Sequence, residues 1–412
     1  MDQLTLAVFG VVYAGMILGG LPRLKLDRTG VALLGAIVLI ASGAIALPDA
    51  LASIDIATVT LLFGLMIVSA QLRLGGFYAR ISQRVTELHA SPPALLAALT
   101  LTVAALSAVF SNDIVCLAVP PVVIHAARRR KLDPVPFLLT TACAANAGSA
   151  LTLIGNPQNM LIGEVLDLSF VRYSAIATLP VILSLVVIWT VIVLQTKGRW
   201  ILGTTEPIGH ESLEAISDEI PAFDRWQAAK GLTVSFALLI LFLTTAMPRE
   251  LLAIGAAGLL LTSRKMHSQR MLGLIDWPLL ILFAGLFVLN GALEATPYPA
   301  RAVEWMEGAG ISLSSPWSLY WVTAALSNIV SNVPAVMLLL PHAVAPGAGA
   351  AIAMSSTLAG NLTIVGSIAN IIVVDIAARH GIRIDWKRHA RTGIPVTLLT
   401  LLLTWLALTL TD

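Results

Sequence analysis

Apolar runs of bilayer length follow one another almost from end to end of this chain, and that feature limits its fold more than any other. A helix needs roughly 20 apolar residues to cross the hydrocarbon core, because each residue advances it only about 1.5 Å. Runs of that kind occupy about 4–21, 29–47, 55–73, 135–163, 172–196, 231–247, 249–263, 275–293, 350–378 and 393–411. Composition agrees: 57% of the 412 residues are apolar and 12% charged, against about 25% charged in a soluble domain. The sequence reads as an all-α polytopic membrane protein whose partner is the lipid bilayer. Its basic residues form no patch with aromatics, which excludes nucleic acid. Cys116 and Cys143 lie in apolar stretches and fit neither a disulfide framework nor a zinc site. No cofactor motif, HExxH or pair of intramembrane aspartates occurs, so an intramembrane enzyme has little support.

Two apolar stretches do not fit as simple spans. Residues 92–127 are interrupted by Ser111-Asn112-Asp113, and residues 315–345 by Ser331-Asn332-Val333. The apolar run after each interruption is about 12–14 residues, too short to cross. Each stretch is expected to form a re-entrant hairpin with its polar tip near the bilayer midplane. Irregular backbone survives at that depth only inside protein or beside a water-filled cavity.

With ten spans and two hairpins, the loops at 22–28, 73–91, 128–133, 197–230, 264–274 and 379–391 fall on one side. They hold all of the 25 Lys and Arg residues except Arg172, Arg249 and Arg301. That asymmetry makes their side cytoplasmic and puts both termini outside. Arg23, Lys25 and Arg28 follow the first run rather than precede it, so it reads as a span and not a cleaved signal. The expected location is a bacterial inner membrane.

The chain also repeats itself. Gly64-Leu65 recurs as Gly285-Leu286, an offset of 221, and Leu106-Ser107…Ser111-Asn112 recurs as Leu326-Ser327…Ser331-Asn332, an offset of 220. Leu151-Thr152…Gly155…Asn159 recurs as Leu362-Thr363…Gly366…Asn370, an offset of 211. Residues 1–196 and 231–412 thus read as two repeats, each of five spans, one of them broken, and one hairpin. An odd number of spans turns the second repeat upside down, the plan of many secondary transporters. Residues 197–230 between them, with Glu206, Glu211, Glu214, Asp218, Glu219 and Asp224, read as a solvated linker. Residues 76–89 read as an interfacial helix with Phe77, Ile81, Val85 and Leu88 on its apolar face.

The candidate site lies at the tips and breaks. Ser and Asn favour helix N-caps, so a short helix starts at each tip with unpaired N–H groups, which attract an anion. Gly155-Asn156-Pro157 removes a donor and opens the span 135–163; residues 360–370 repeat this in the span 350–378 without the proline. Freed carbonyls there suit a cation. The plain alternatives are a capped turn and a packing kink. Asp113 is an acid at mid-membrane with no basic partner in the core, a functional candidate by default. Substrate contacts are expected from Ser111, Asn112, Asn156, Asn159, Ser331, Asn332, Thr363, Ser367 and Asn370. Coupling-ion contacts are expected from Asp113, Asn146, Thr152, Gly155, Asn361 and Gly366, with Na⁺ at Ser111, Asn112, Asp113 and Gly155 as one form. Asn290, His125, His342 and Asp375 are weaker candidates, better explained by capping or interfacial positions. Cys116 stands one helical turn from Asp113, where a thiol could meet a soft metalloid, but small buried filler is the better reading.

At these residues the chain resembles the ion transporter superfamily, which includes divalent-anion/sodium symporters, citrate-type permeases, arsenite permeases and sodium/proton antiporters. The likeness covers nearly the whole chain. In the symporters a Ser-Asn-Thr at each hairpin tip binds substrate carboxylate and, with the broken helix, Na⁺. The resemblance implies that Ser111, Asn112 and Gly155 serve one half, Ser331, Asn332 and Gly366 the other, and that the protein is a homodimer. Asp113 and Val333 stand where the symporters carry threonine. Asn112-Asp113 and Asn332-Val333-Pro334 are similar to arsenite permeases, whereas Gly155-Asn156-Pro157-Gln158-Asn159 resembles anion permeases. The expected activity is alternating-access transport of a small anion or oxyanion coupled to H⁺ or Na⁺, with no cofactor. Arsenite or antimonite efflux and sodium/proton exchange are the alternatives.

Overall fold

The computed structural model describes residues 1–21, 24–201, 222–263 and 266–410. Among them every named element is a helix, and only two isolated bridges join extended residues. Aspartate, scarce in this chain, marks where helices start. Asp27, Asp55, Asp133, Asp224, Asp276 and Asp385 each cap a helix by accepting a backbone N–H of its first turn. Among the described residues six helices are long and apolar enough to cross a membrane: Ile56–Leu74, Pro92–Val109, Phe170–Thr196, Arg225–Thr244, Trp277–Glu294 and Trp386–Thr409. Their outward sides stay apolar, as Leu179, Ile182, Val186 and Leu194 do on Phe170–Thr196.

Several expected spans are shorter than their apolar runs. The run 29–47 forms the 14-residue helix Arg28–Ala41, ended at Ser42 and Gly43, and 249–263 forms the 13-residue helix Arg249–Leu261. The run 4–21 forms Asp2–Leu18, whereas the last span starts early, at Trp386. The two shortened helices lie at equivalent places in the repeat and pack across it. A methyl group on Gly64 would stand 2.7 Å from Ala253 C, and one on Gly285 would stand 3.0 Å from Ala32 C. Ala32 and Ala253 are separated by the same offset as Gly64 and Gly285. The backbones approach this closely because glycine leaves room, a common way of joining helices where lipid gives no hydrophobic drive.

Both interrupted stretches fold as pairs of helices meeting at a tip. Pro92–Val109 and Asn112–Arg129 join through Phe110-Ser111; Pro316–Val330 and Asn332–Leu339 join at Ser331, followed by a 3₁₀ turn at Leu340–His342. The first returning limb has 18 residues, longer than its apolar run, and the second only 8. Arg130 Nη2 donates to Leu88 O, so the far end of the first pair lies beside its start. Pro316 and Trp317, at the start of the second pair, and Ala343, just past its end, line one cavity. Nearby at the first pair's open end, Asp133 pairs with Arg388 at 2.6 Å, and Arg128 donates to His380 O.

The helix Phe77–Thr86 turns most of its expected apolar face outward. Phe77 is buried, but the rest of its inward side is Tyr78, Ala79, Ser82 and Thr86, packed on Asn112–Arg129. Ile81 and Val85 are half-buried and Leu88 is exposed. Small and polar residues suit helix contacts in a membrane, leaving apolar ones for lipid. Tyr78 meets Phe110 edge-on, 5.6 Å between ring centres, bracing the first tip. Of the expected linker 197–230, residues 202–221, including Glu206, Glu211, Glu214, Asp218 and Glu219, lie outside the described residues.

Candidate functional site

Both segments read as broken helices are interrupted, over longer stretches than the Gly-Asn-Pro sequence alone suggests. The first consists of Pro134–Ser149 and Pro157–Val165, the second of Ala348–Ala359 and Ile368–Arg379 with a 3₁₀ turn at Ile364–Gly366. Each break frees carbonyls that must find donors. Asn159 Nδ2 donates to Thr152 O (3.0 Å) and, more loosely, to Ser149 O (3.4 Å). Asn370 Nδ2 donates to the repeat-equivalent carbonyls, Gly360 O at 2.8 Å and Thr363 O at 2.9 Å. Both asparagines are fully buried. Their amide N–H groups are taken up in closing the breaks.

The restarted helices are capped in parallel ways. Asn156 Oδ1 accepts Asn159 N–H (2.9 Å), and Ser367 Oγ accepts Ala369 N–H (3.2 Å). Gly155 has no room for a side chain: a methyl group there would stand 2.2 Å from Ser149 O. Gly366 is less confined, with Gly360 O and Thr363 Oγ1 at 3.0 Å and Asn328 Oδ1 at 3.1 Å from the same position. Thr363 Oγ1 and Asn328 Oδ1 are buried without a partner among the described residues.

Each hairpin tip docks on the break of its own half. Asn112 N–H donates to Gly155 O (3.0 Å). Asn332, with its amide oriented so that nitrogen faces the carbonyls, donates to Gly366 O (3.2 Å) and Ser356 O (3.0 Å). At the centre, Asn146 links both halves. It accepts from Asn112 Nδ2 (3.1 Å) and Ser367 Oγ (2.9 Å), and donates to Asn361 Oδ1 (2.8 Å). Asn156 Nδ2 reaches Ser149 Oγ (2.9 Å) and Thr357 Oγ1 (3.2 Å), and Gln158 also donates to Thr357. These partners are amides, hydroxyls and backbone groups; among the described residues no Lys or Arg joins them.

Ser111 and Ser331 precede their helices without capping them, so the expected side-chain caps are absent. Both serines and Asp113 are partly exposed, and their side chains make no hydrogen bond among the described residues. Ser331 has φ +82° and ψ 160°, a region L-residues rarely enter. Thr152 Oγ1 donates to Ala108 O in the first limb. Val333 and Cys116 are buried.

Other candidates lie apart from this cluster. Asp375 pairs with Arg379 at 2.6 Å, and His342 sits in the 3₁₀ turn after the second tip. Asn290 lies on Trp277–Glu294 with no bond to the cluster, and His125 lies well along the returning limb. The sequence reading missed Ser149, Thr357, Gln158 and Tyr173. The repeat carried a signal for Thr357, which is the counterpart of Asn146 at the offset of the two breaks. Tyr173 OH accepts from Asn159 and donates to Ala150 O (2.8 Å), supporting the first break from the neighbouring long helix.

Residues 11–351 match the sequence profile of the citrate transporter family. The chain belongs to that family. It is an integral membrane protein of a transporter family, not an enzyme. An uncharacterized transporter of Mycobacterium tuberculosis, Rv2685, is 29% identical over 406 residues, covering 92% of each chain. The silicon efflux transporter LSI3 of Oryza sativa subsp. japonica is 28% identical, over 95% of this chain and 94% of its own. The inner membrane protein YbiR of Escherichia coli is 29% identical over 82% of this chain and 84% of its own. The fold is similar to the YdaH transporter of Alcanivorax borkumensis, with a TM-score of 0.54 at 13% identity over 100% of this chain and 98% of that one.

Proposed function

We propose that this chain is a cation-coupled secondary transporter of a small oxygen-rich anion, working by alternating access between two inverted repeats. One observation carries the reading: each hairpin tip docks on the break of its own half, and Asn146 joins the two units. Such a site is bound by backbone N–H groups, amides and hydroxyls, which recognise carboxylate or oxyanion oxygens without an arginine. Asp113, at the first tip, takes the coupling H⁺ or Na⁺. The reciprocal packing of Gly64 on Ala253 and Gly285 on Ala32 supports the inverted-repeat plan. The distribution of Lys and Arg supports a cytoplasmic face at 22–28, 73–91, 128–133, 197–230, 264–274 and 379–391, with both termini outside. A homodimer in a bacterial inner membrane completes the proposal, in keeping with the Escherichia coli relative.

A second reading has its own support. Asp113 repels an anion, and the rice relative exports silicon; a neutral hydroxylated metalloid acid, silicic or arsenous, would meet the same amides without that repulsion. The two readings separate in proteoliposomes. Carboxylates, oxyanions and metalloid acids are offered with imposed Na⁺ or pH gradients of either sign. Uphill movement of an anion supports the first reading; movement of metalloid acids alone supports the second. No gradient-driven flux of any solute overturns both.

A further inference from the structure

Near the face proposed as outer, Arg249 binds the end of the first broken helix. Its Nε stands 3.1 Å from Glu164 Oε1, its Nη2 donates to Gly163 O at 2.8 Å, and the two side chains are only 13% and 9% exposed. Asp167 adds a second, outlying carboxylate at 4.0 Å. Arg249 opens the short helix that packs on Gly64, whereas Glu164 belongs to the break-and-tip unit. The pair therefore ties the unit that holds the site to the helices that surround it.

The repeat places the same two chemistries at the other face. Arg28, the first residue of the matching short helix, precedes Arg249 by an offset of 221, and Asp375, on the matching half-helix, follows Glu164 by an offset of 211. Those are the offsets of the motifs around them. Yet Arg28 Nε donates to Met16 O at 3.1 Å, and Asp375 turns to Arg379 on its own helix, the pair 53% and 73% exposed. Packing differs in the same sense: Pro157–Val165 packs on Ile56–Leu74, whereas Ile368–Arg379 packs chiefly on Asn112–Arg129.

We infer that Arg249–Glu164 is the closed member of a pair of alternating ion-pair gates, and that Arg28–Asp375 is the other, formed when the protein faces outward. The inference rests on the alternating-access reading. Two inverted halves exchange their contacts when the site changes sides, so what one half makes now the other makes later. The structure is then the inward-facing state, and Arg28, Glu164, Arg249 and Asp375 position the moving unit without touching solute. Arg379 holds Asp375 while its gate is open.

Paired cysteines test this without any substrate. In membranes holding the full chain, a bifunctional thiosulfonate should bridge Asp167→Cys and Glu250→Cys readily, and their repeat counterparts Ala378→Cys and Thr29→Cys slowly; these positions adjoin the gates and leave all four gate residues in place, and Cys116 and Cys143 are buried and stay. Adding Glu164→Gln to the second pair should speed its cross-linking at least tenfold, and Arg249→Gln should do the same by removing the other partner. Both variants are first required to elute as folded protein. An unchanged rate in the folded variants, or no Thr29–Ala378 cross-link in any background, overturns the gate. If gates exchange while no solute moves, the transport reading falls and the gate stands. If solute moves while cross-linking does not exchange, the gate alone falls.

Discussion

Asn146 and Thr357 occupy equivalent places in the two repeats, and each reaches across to the asparagine that closes the other half's break. Asn146 Nδ2 donates to Asn370 Oδ1 at 3.3 Å, and Thr357 Oγ1 donates to Asn159 Oδ1 at 3.4 Å. Both bonds are long, but all four residues are buried, where an unmatched polar group is costly. The crossing makes the two breaks one unit: neither loop can shift without moving a residue of the other repeat.

The first prediction follows from that crossing. Asn146→Ala leaves buried partners on Asn112, Asn361, Asn370 and Ser367 without their bonds, at about 1–3 kcal/mol for each group left unsatisfied. Thr357→Val keeps the shape and loses only the hydroxyl. Both variants should lose transport and melt at lower temperature in detergent, Asn146→Ala by more, and Thr357→Ser should restore the flux. Wild-type flux in Thr357→Val would place the crossing bonds outside the mechanism.

The second prediction separates the two break glycines. At Gly155 an added methyl group meets backbone at 2.2 Å, which cannot yield without reshaping the break; at Gly366 the contacts of about 3 Å include two side-chain oxygens that can move. Gly155→Ala should therefore reduce the yield of folded protein severely. Gly366→Ala should insert and fold, losing no more than about 1–3 kcal/mol, but transport poorly because the methyl group intrudes among Gly360 O, Thr363 Oγ1 and Asn328 Oδ1. Size-exclusion profiles followed by flux in liposomes check both. Equal folding of the two variants would contradict the geometry.

The sequence carried much of this architecture because the repeat is written in residues that do unusual work in a membrane. Ser-Asn interruptions and Gly-containing breaks located tips and openings to within a few residues. The length of Arg28–Ala41 was not legible, since the apolar run continues past the turn at Gly43, whose φ of +72° interrupts the helix without any change in hydropathy. Nor were the separate tasks of Asn156 and Asn159. They are near neighbours with the same side chain, and only the folded loop shows Asn156 capping a helix while Asn159 turns back to carbonyls. Thr357 escaped notice because a threonine in an apolar helix usually bonds its own backbone.

The third prediction concerns Ser331. Its positive φ imposes a strain of roughly 1–3 kcal/mol on a non-glycine residue, whereas Ser111 at the other tip has an ordinary φ of −51°. Ser331→Gly should raise the unfolding temperature and lower transport, because strain is relieved and a hydroxyl is lost from the second tip. Ser331→Ala keeps the strain and also loses the hydroxyl, so it should transport no better and be no more stable than wild type. A Ser331→Gly protein with full activity would show that the hydroxyl takes no part.

The last prediction concerns Asp113, whose carboxyl lies one residue into the returning limb, partly exposed and without a hydrogen-bond partner among the described residues. Asn112, beside it, is engaged twice, through its N–H to Gly155 O and through Nδ2 to Asn146. A coupling ion on Asp113 would thus be one residue from a group that grips the break and the central asparagine, and its arrival would be felt by both. Asp113→Asn preserves size and removes the charge. The variant should still bind solute and exchange it between equal pools, yet fail to accumulate it against a gradient or to respond to pH or Na⁺. Parallel measurements of solute binding, exchange and gradient-driven uptake distinguish the cases. Uphill transport with unchanged ion dependence would remove Asp113 from coupling. Loss of solute binding would instead put the carboxylate beside the solute itself, and would favour a neutral metalloid acid over an anion, because an ionised carboxylate destabilises a like charge at contact distance.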